Sequence, residues 1–218
     1  MDNIKQALET IKNENSTERF FDFKVFNKIF LSAAGENYQI NSDNEKIIET
    51  LKMYFSGVED FNQFGCVSNK FSLNKGIYLW GENGVGKSQF FNIIHKIGSK
   101  MKPGYKYPTR LKFTKINSKL FSENYMQEVR KKPENTNFEL SRYYKGNLYI
   151  GDFGKEDLVF GKKELIGDLI YIRNRYTGFS FITSNLSPFE VAIRYGTALA
   201  DRINQDCNII QWTGESFR

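Results

Sequence analysis

Residues 76–88 read Gly-Ile-Tyr-Leu-Trp-Gly-Glu-Asn-Gly-Val-Gly-Lys-Ser, an apolar run that passes directly into the pattern G-x-x-x-x-G-K-S. Gly81, Glu82, Asn83, Gly84, Val85, Gly86, Lys87 and Ser88 fill its eight positions, and Gln89 to Ile97 read as a helix. A glycine-rich turn between a strand and a helix lets backbone N–H groups face inward around an anion, and the helix N-terminus adds partial positive charge. In such a loop the lysine reaches the β- and γ-phosphates and the serine hydroxyl ligates Mg²⁺. The chemistry expected of Gly81–Ser88 is therefore the binding of a nucleoside polyphosphate with Mg²⁺.

A metal beside a phosphate loop calls for a carboxylate at the end of a neighbouring strand. Residues 147–156, Asn-Leu-Tyr-Ile-Gly-Asp-Phe-Gly-Lys-Glu, form an apolar strand ending in an acid. Many ATPases carry two acids here, the first in the Mg²⁺ shell and the second polarising the attacking water. This chain has Gly151 and then Asp152. In one register Asp152 is the metal acid, and the water-activating acid is missing or supplied by Glu156. In the other, Asp152 takes the second position and the metal acid is missing. A third reading makes Asp152 only the cap of the following turn. Asn185, ending the run Phe179 to Asn185 with Ser184 beside it, is placed to hydrogen-bond a γ-phosphate or a water. A turn role before Leu186-Ser187-Pro188 competes with that reading. The single His95 reads as a core or surface residue, not a catalytic one.

The elements that must position these residues alternate. Strands are predicted at 76–80, 111–116, 147–151, 179–184 and 207–212, and helices at 87–97, 117–131, 163–175 and 188–203, with Gly98 closing the first of these helices. Such alternation predicts an α/β fold, a five-stranded parallel sheet with helices on both faces. Upstream, 43–56 is a predicted helix with a capping box from Ser42 and Glu45 and an apolar face of Ile47, Ile48, Leu51, Tyr54 and Phe55. Residues 2–12 fit a short amphipathic helix, and 57–75 read as a loop. Residues 13–40 resist assignment; Phe20, Phe21, Phe23, Phe26 and Phe30 either pack a core, the favoured reading, or dock on a partner.

The 218 residues suffice for one sizeable core. No stretch approaches a membrane span, and Met-Asp-Asn-Ile-Lys-Gln lacks the apolar core of a signal peptide. Cys66 and Cys207 lie far apart without metal-ligand spacing and read as reduced thiols in a cytoplasm. The net charge of +6 is uneven: residues 1–75 hold 9 Lys and Arg against 11 Asp and Glu, and residues 76–218 hold 22 against 14. Residues 96–119 carry Lys96, Lys100, Lys102, Lys106, Arg110, Lys112, Lys115 and Lys119 and no acid, interleaved with Tyr105, Tyr107 and Phe113. That mixture suits a phosphate backbone with aromatic faces for bases, and points to nucleic-acid contact; the alternative is a solvated loop and strand edge.

With these residues in hand, 76–218 resembles the AAA+ P-loop ATPases of the bacterial replicative-helicase loader type (DnaC and DnaI) and the related IstB-like transposition helpers, with weaker likeness from about residue 40. The resemblance rests on Gly81–Ser88, on Asp152-Phe153-Gly154, on Arg175-Tyr176 followed by Ile182-Thr183-Ser184-Asn185-Leu186, on Asp201-Arg202-Ile203 and on Gly214-Glu215-Ser216-Phe217-Arg218. It implies an AAA+ domain over 41–218 after an N-terminal extension at 1–40 that touches a partner. It implies ATP and Mg²⁺ as cofactors, held by Gly81–Ser88 and Asp152, and ATPase activity slowed where Gly151 replaces the usual first acid. It makes Asn185 a γ-phosphate sensor, Arg202 a finger in a neighbouring subunit's site, and Arg218 a second sensor. Without the resemblance Arg202 reads as an ion pair with Asp201 or Asp206. The implied partners are DNA, single-stranded in the leading version, a replicative helicase or a transposase, and further copies of the chain.

Overall fold

A computed structural model describes residues 21–101, 108–131 and 138–216. Helices α1 (Phe23–Ala34) and α2 (Glu45–Ser56) precede β1 (Gly76–Gly81), α3 (Lys87–Lys100), β2 (Thr114–Asn117), α4 (Ser118–Val129) and β3 (Leu148–Phe153). Then follow α5 (Leu165–Arg173), β4 (Ser180–Ser184), α6 (Pro188–Tyr195), α7 (Thr197–Asp206) and β5 (Cys207–Trp212). The five strands form one parallel sheet in the order β2-β3-β4-β1-β5.

Side chains alternate across a strand, and this alternation divides the interior into two cores. Ile77, Leu79, Tyr149, Phe181 and Ile210 join one cluster with the buried faces of α1, α2 and α3. Tyr78, Leu148, Ile150, Ile182 and Ile209 join the other, with residues of α4, α5, α6 and α7. Both faces being covered explains why the strands read as near-continuous apolar runs. The sequence-level α/β architecture is therefore the one observed.

The first layer reaches further upstream than the sequence indicated. Asp22 caps α1 by accepting from the Val25 N–H at 3.1 Å, and Phe26, Ile29, Phe30 and Ala33 recur at helical spacing on its buried face. Phe21, Phe26 and Phe30 are core residues and Phe23 packs against them, which settles packing over docking for these rings; Phe20 lies outside the described residues. A boundary at residue 40 would cut through this layer. The helix predicted at 2–12 also lies outside the described residues.

Local expectations fail where a contact distant in sequence decides. Gly98 does not close α3, which continues to Lys100; a Cβ there would stand 1.8 Å from the Leu111 carbonyl oxygen, so the glycine permits a close approach. Ser42 and Glu45 form no capping box. Asn44 is the N-cap of α2, and the Asn41 side chain instead accepts from the Asp43 and Asn44 N–H groups. A complete box forms at Ser187 and Glu190 on α6. The helix predicted at 188–203 is two helices divided at Gly196, and Leu111, predicted to begin a strand, instead ends a 3₁₀ turn at Thr109–Leu111.

Candidate nucleotide site

The loop predicted to hold phosphate leaves β1 at Gly81 and enters α3 at Lys87, at the carboxyl edge of the sheet. Gly81 has φ +148, and a Cβ there would lie 2.0 Å from the Trp212 carbonyl oxygen on β5. Gly84 and Gly86 also have positive φ. The chain therefore adopts a turn that L side chains resist, and in turning it aims the start of α3 at the sheet edge. Lys87 is buried. Its Nζ donates to the carbonyls of Gly81 (2.8 Å) and Glu82 (2.6 Å) and to Asn185 Oδ1 (3.2 Å).

Asn185, at the end of β4, also donates through Nδ2 to Asn83 Oδ1 at 2.8 Å. The structure thus brings together Asn83, Lys87 and Asn185, whose partner lies about a hundred residues along the chain. Ser184 takes a different role from its neighbour: its Oγ donates to the Phe153 carbonyl at 2.7 Å and accepts from the Leu186 N–H, so it ties β3 to β4.

β3 carries an irregularity that the sequence did not reveal. Its pairing with β4 shifts register between Ile150 and Phe153, and Asp152 takes φ +57. A bulge of this kind re-aims a side chain. Asp152 Oδ2 accepts from Asn117 Nδ2 at 2.9 Å, and Oδ1 meets the Lys155 ammonium at 3.0 Å. Gly151 stays in register beside Asn117. A Cβ at Gly151 would lie 3.1 Å from the Tyr149 hydroxyl oxygen. That hydroxyl is hydrogen-bonded to Thr183 Oγ1 at 3.0 Å and lies near the Ser88 side chain, and burial raises its pKa. The side-chain direction at 151 therefore aims at the Tyr149 phenol, near Ser88.

Glu156, the alternative water-activating acid, does not serve the site. It is 3 % exposed, and its carboxylate accepts from the Tyr195 hydroxyl at 2.6 Å and the Gly154 N–H at 2.9 Å. Burial pushes its pKa up. Its carboxylate is committed to holding the turn after β3, so it is removed as a catalytic candidate.

Arg202 is far from the loop within its own chain. With Gly76, Ser180 and Cys207 it lines a cleft at the strand beginnings, opposite the edge that carries Lys87. It pairs with neither Asp201 nor Asp206; its Nη1 donates to Gln205 Oε1 at 3.1 Å and its guanidinium lies 5.9 Å from the Tyr171 ring centroid. Arg218 lies outside the described residues.

A second group of residues beside the loop was not legible in the sequence. Tyr38, Gln39, Gly86 and Trp212 are among those lining a cavity of about 190 Å³. The Tyr38 hydroxyl and the Trp212 indole N–H are buried and lack hydrogen-bond partners, a condition costing roughly 1–3 kcal/mol each. The residues present therefore fit a nucleotide: a backbone turn and a lysine for phosphates, with an adjoining cavity lined in part by Tyr38 and Trp212, whose polar atoms are unpaired. For Mg²⁺, which takes few protein ligands beside phosphates, the available donors are the Ser88 hydroxyl and the Asp152 carboxylate.

The basic stretch divides. Arg110 is buried, its Nη1 donating to the Tyr54 carbonyl at 3.0 Å, and Phe113 belongs to the core. Lys96 donates to the Ala33 carbonyl at 2.8 Å. Arg110 and Phe113 hold the fold together, which corrects their reading as a nucleic-acid surface, whereas Lys96 is exposed. Lys112, Lys115 and Lys119 are exposed; Lys102, Tyr105, Lys106 and Tyr107 lie outside the described residues. His95 is half-buried against Phe113, and burial followed by Lys115 lowers its pKa.

Solved structures resemble this arrangement over most of the chain. The crystal structure of DnaI aligns with a TM-score of 0.54 and 19% identity, covering 85% of this chain and 89% of that one. The crystal structure of the DnaC helicase loader aligns at 0.55 and 17%, covering 84% and 98%. The chain shares the fold of these structures, a five-stranded parallel sheet flanked by helices. AMPPCP-bound DnaA from Aquifex aeolicus aligns at 0.51 and 16% identity, over 83% of this chain and 50% of that one. No protein-family model and no curated protein matches the sequence. Among the described residues, no helix is long and apolar enough to cross a membrane.

Proposed function

We propose that this chain binds ATP with Mg²⁺ in the loop Gly81–Ser88, assembles with further copies through shared ATP sites, and acts on DNA as a loader of a replicative helicase. The observation that carries the nucleotide reading is the junction of Lys87, Asn185 and Asn83, which couples the loop to the end of β4. In this reading Gly81, Glu82, Asn83, Gly84, Val85 and Gly86 cradle the phosphates and Lys87 neutralises them. Ser88 meets the metal, Asn185 senses the terminal phosphate, and Arg218 touches nucleotide from its own subunit. Mg²⁺ would supply charge neutralisation across the phosphate oxygens. Arg202, at the opposite sheet edge, reaches nucleotide only in a neighbouring subunit. Exposed Lys112, Lys115 and Lys119 supply charge for DNA phosphates. The loader role is drawn from the similarity to the DnaC helicase loader and to DnaI; an IstB-like helper that recruits a transposase uses the same engine with a different client.

A second reading has its own observation. The side-chain direction at Gly151 faces the Tyr149 phenol near Ser88, which supports reading the missing acid as the metal ligand and Asp152 as the second acid. With Glu156 committed elsewhere, Asp152 is the acid left to this site, and a nucleotide-gated DNA adaptor with little turnover follows.

ATP turnover across a protein titration, with and without single-stranded DNA, separates the two. A rate that climbs with concentration and shifts with DNA supports the shared-site engine. ATP bound with a flat, background rate supports the adaptor. Lys87→Ala is expected to abolish binding in both; a variant that binds ATP as well as the parent would sink the nucleotide reading altogether.

A further inference from the structure

The turn after β3 presents one lysine to the loop. Lys155 Nζ lies 3.1 Å from Asn83 Oδ1 and 3.0 Å from Asp152 Oδ1. Asn83 Oδ1 is the same atom that receives Asn185 Nδ2, and Asn185 Oδ1 in turn receives Lys87 Nζ. Two ammonium groups thus flank one Asn83–Asn185 pair at the mouth of the phosphate loop. One is the motif lysine; the other comes from a position that the loop pattern does not specify.

The turn that carries Lys155 is held from behind. The Lys155 N–H donates to the Asp152 carbonyl at 3.1 Å. The Gly154 N–H is taken by the buried Glu156 carboxylate, which Tyr195 also binds. Arg194 donates to the Gly154 carbonyl and, at 2.7 Å, to the Glu156 carbonyl, while pairing with Glu164 at 3.1 Å. A Cβ at Gly154 would meet Leu186 at 2.6 Å, so the backbone packs closely there. An exposed ion pair such as Lys155–Asp152 contributes little stability, whereas a buried scaffold that fixes a half-exposed cation at an anion site reduces the entropy lost on binding.

We propose that Lys155 is a second phosphate-binding cation of this site, reading the terminal phosphate of a nucleoside triphosphate. This rests on the nucleotide-site reading above. Its role is positional and electrostatic: it adds a positive charge on the Asp152 side of the loop, where Gly151 provides no carboxylate to hold a metal firmly. Lys87 serves di- and triphosphates alike, whereas Lys155 stands beside Asn185, the residue assigned to the terminal phosphate. The consequence is discrimination between ATP and ADP.

Equilibrium binding of ATP and of ADP to the full chain, by calorimetry with Mg²⁺ present, tests this on the parent, Lys155→Ala, Lys155→Met and Lys87→Ala. Both Lys155 variants are expected to weaken ATP about tenfold, the loss of one charge-assisted hydrogen bond, and to leave ADP within about twofold, well under one such bond. Lys87→Ala is expected to lose both nucleotides. An unchanged ATP-to-ADP affinity ratio in both Lys155 variants, with the parent binding ATP and Lys87→Ala not, overturns the assignment and leaves the site reading intact. A parent chain that binds neither nucleotide overturns both.

Discussion

At the scale of single residues, Gly151 and Tyr149 form a coupled pair. Tyr149 is buried, stacks on Phe91 with centroids 4.7 Å apart, and is hydrogen-bonded to Thr183. It has little room to yield to a side chain at 151, where a Cβ would touch its ring at 3.1 to 3.4 Å. Gly151→Asp, which restores an acid, is therefore expected to cost about 1–3 kcal/mol through overpacking against a fixed ring. Thermal melting of Gly151→Asp, Tyr149→Val and the double variant checks this. Gly151→Asp should cost less in the Tyr149→Val background than in the parent, and if the adaptor reading holds the double variant should also gain ATP turnover. A single variant as stable as the parent would show that Tyr149 moves freely. The pair illustrates what a linear reading can find: an acid missing from its place is visible, but the phenol two residues earlier that fills the space is ordinary strand sequence.

At the scale of elements, the turn after β3 connects the sheet to the site. Glu156 anchors it from the interior, and because burial raises its carboxyl pKa, the folded state holds that proton to higher pH than the unfolded chain does. The contribution is fully present below the ordinary carboxylate value and is lost as pH rises through the raised one. Relative to Glu156→Gln, the parent is expected to lose stability as pH climbs through that window. Urea melts of the two proteins from mildly acid to neutral pH measure the difference, and parallel profiles would mean that Glu156 does not titrate on unfolding. The sequence placed Glu156 within reach of the site because it lies four residues after Asp152. Its side chain instead meets Tyr195 and the Gly154 N–H, a contact no periodicity encodes. Similarly, Gly98 resembles a helix terminator in sequence, and its close approach to Leu111 explains it otherwise.

At the scale of the whole molecule, the sheet separates the candidate residues between its two edges. Lys87, Asn185 and Asp152 gather at the carboxyl ends of the strands, while Arg202 lines a cleft at their beginnings. A guanidinium is permanently charged and suits phosphate at an interface between subunits. Arg202→Ala is accordingly expected to leave ATP affinity of the isolated subunit within about twofold, less than one hydrogen bond's worth, and to weaken ATP-dependent assembly. Sedimentation of parent and variant with and without ATP decides it; assembly unaffected by the change would remove Arg202 from the shared site. The helices α1, α2 and α3 form a continuous layer on one face, so the aromatic segment upstream of residue 40 is part of the core that supports the loop.

The sequence alone determined the α/β order, the phosphate-loop motif, the acid at 152 and the polar residue at 185. Each depends on local chemistry: strand and helix periodicity, turns that require glycine, and a carboxylate or amide at a strand end. Tertiary structure decided which groups meet. It brought Asn185 to Lys87, committed Glu156 to the interior, set Tyr149 against Ser88, joined Lys155 to Asn83, and drew Arg110 and Phe113 into the fold. Those outcomes depend on sheet order, on one bulge at Asp152 and on helix packing, which bring together residues too distant in sequence for local spacing to specify.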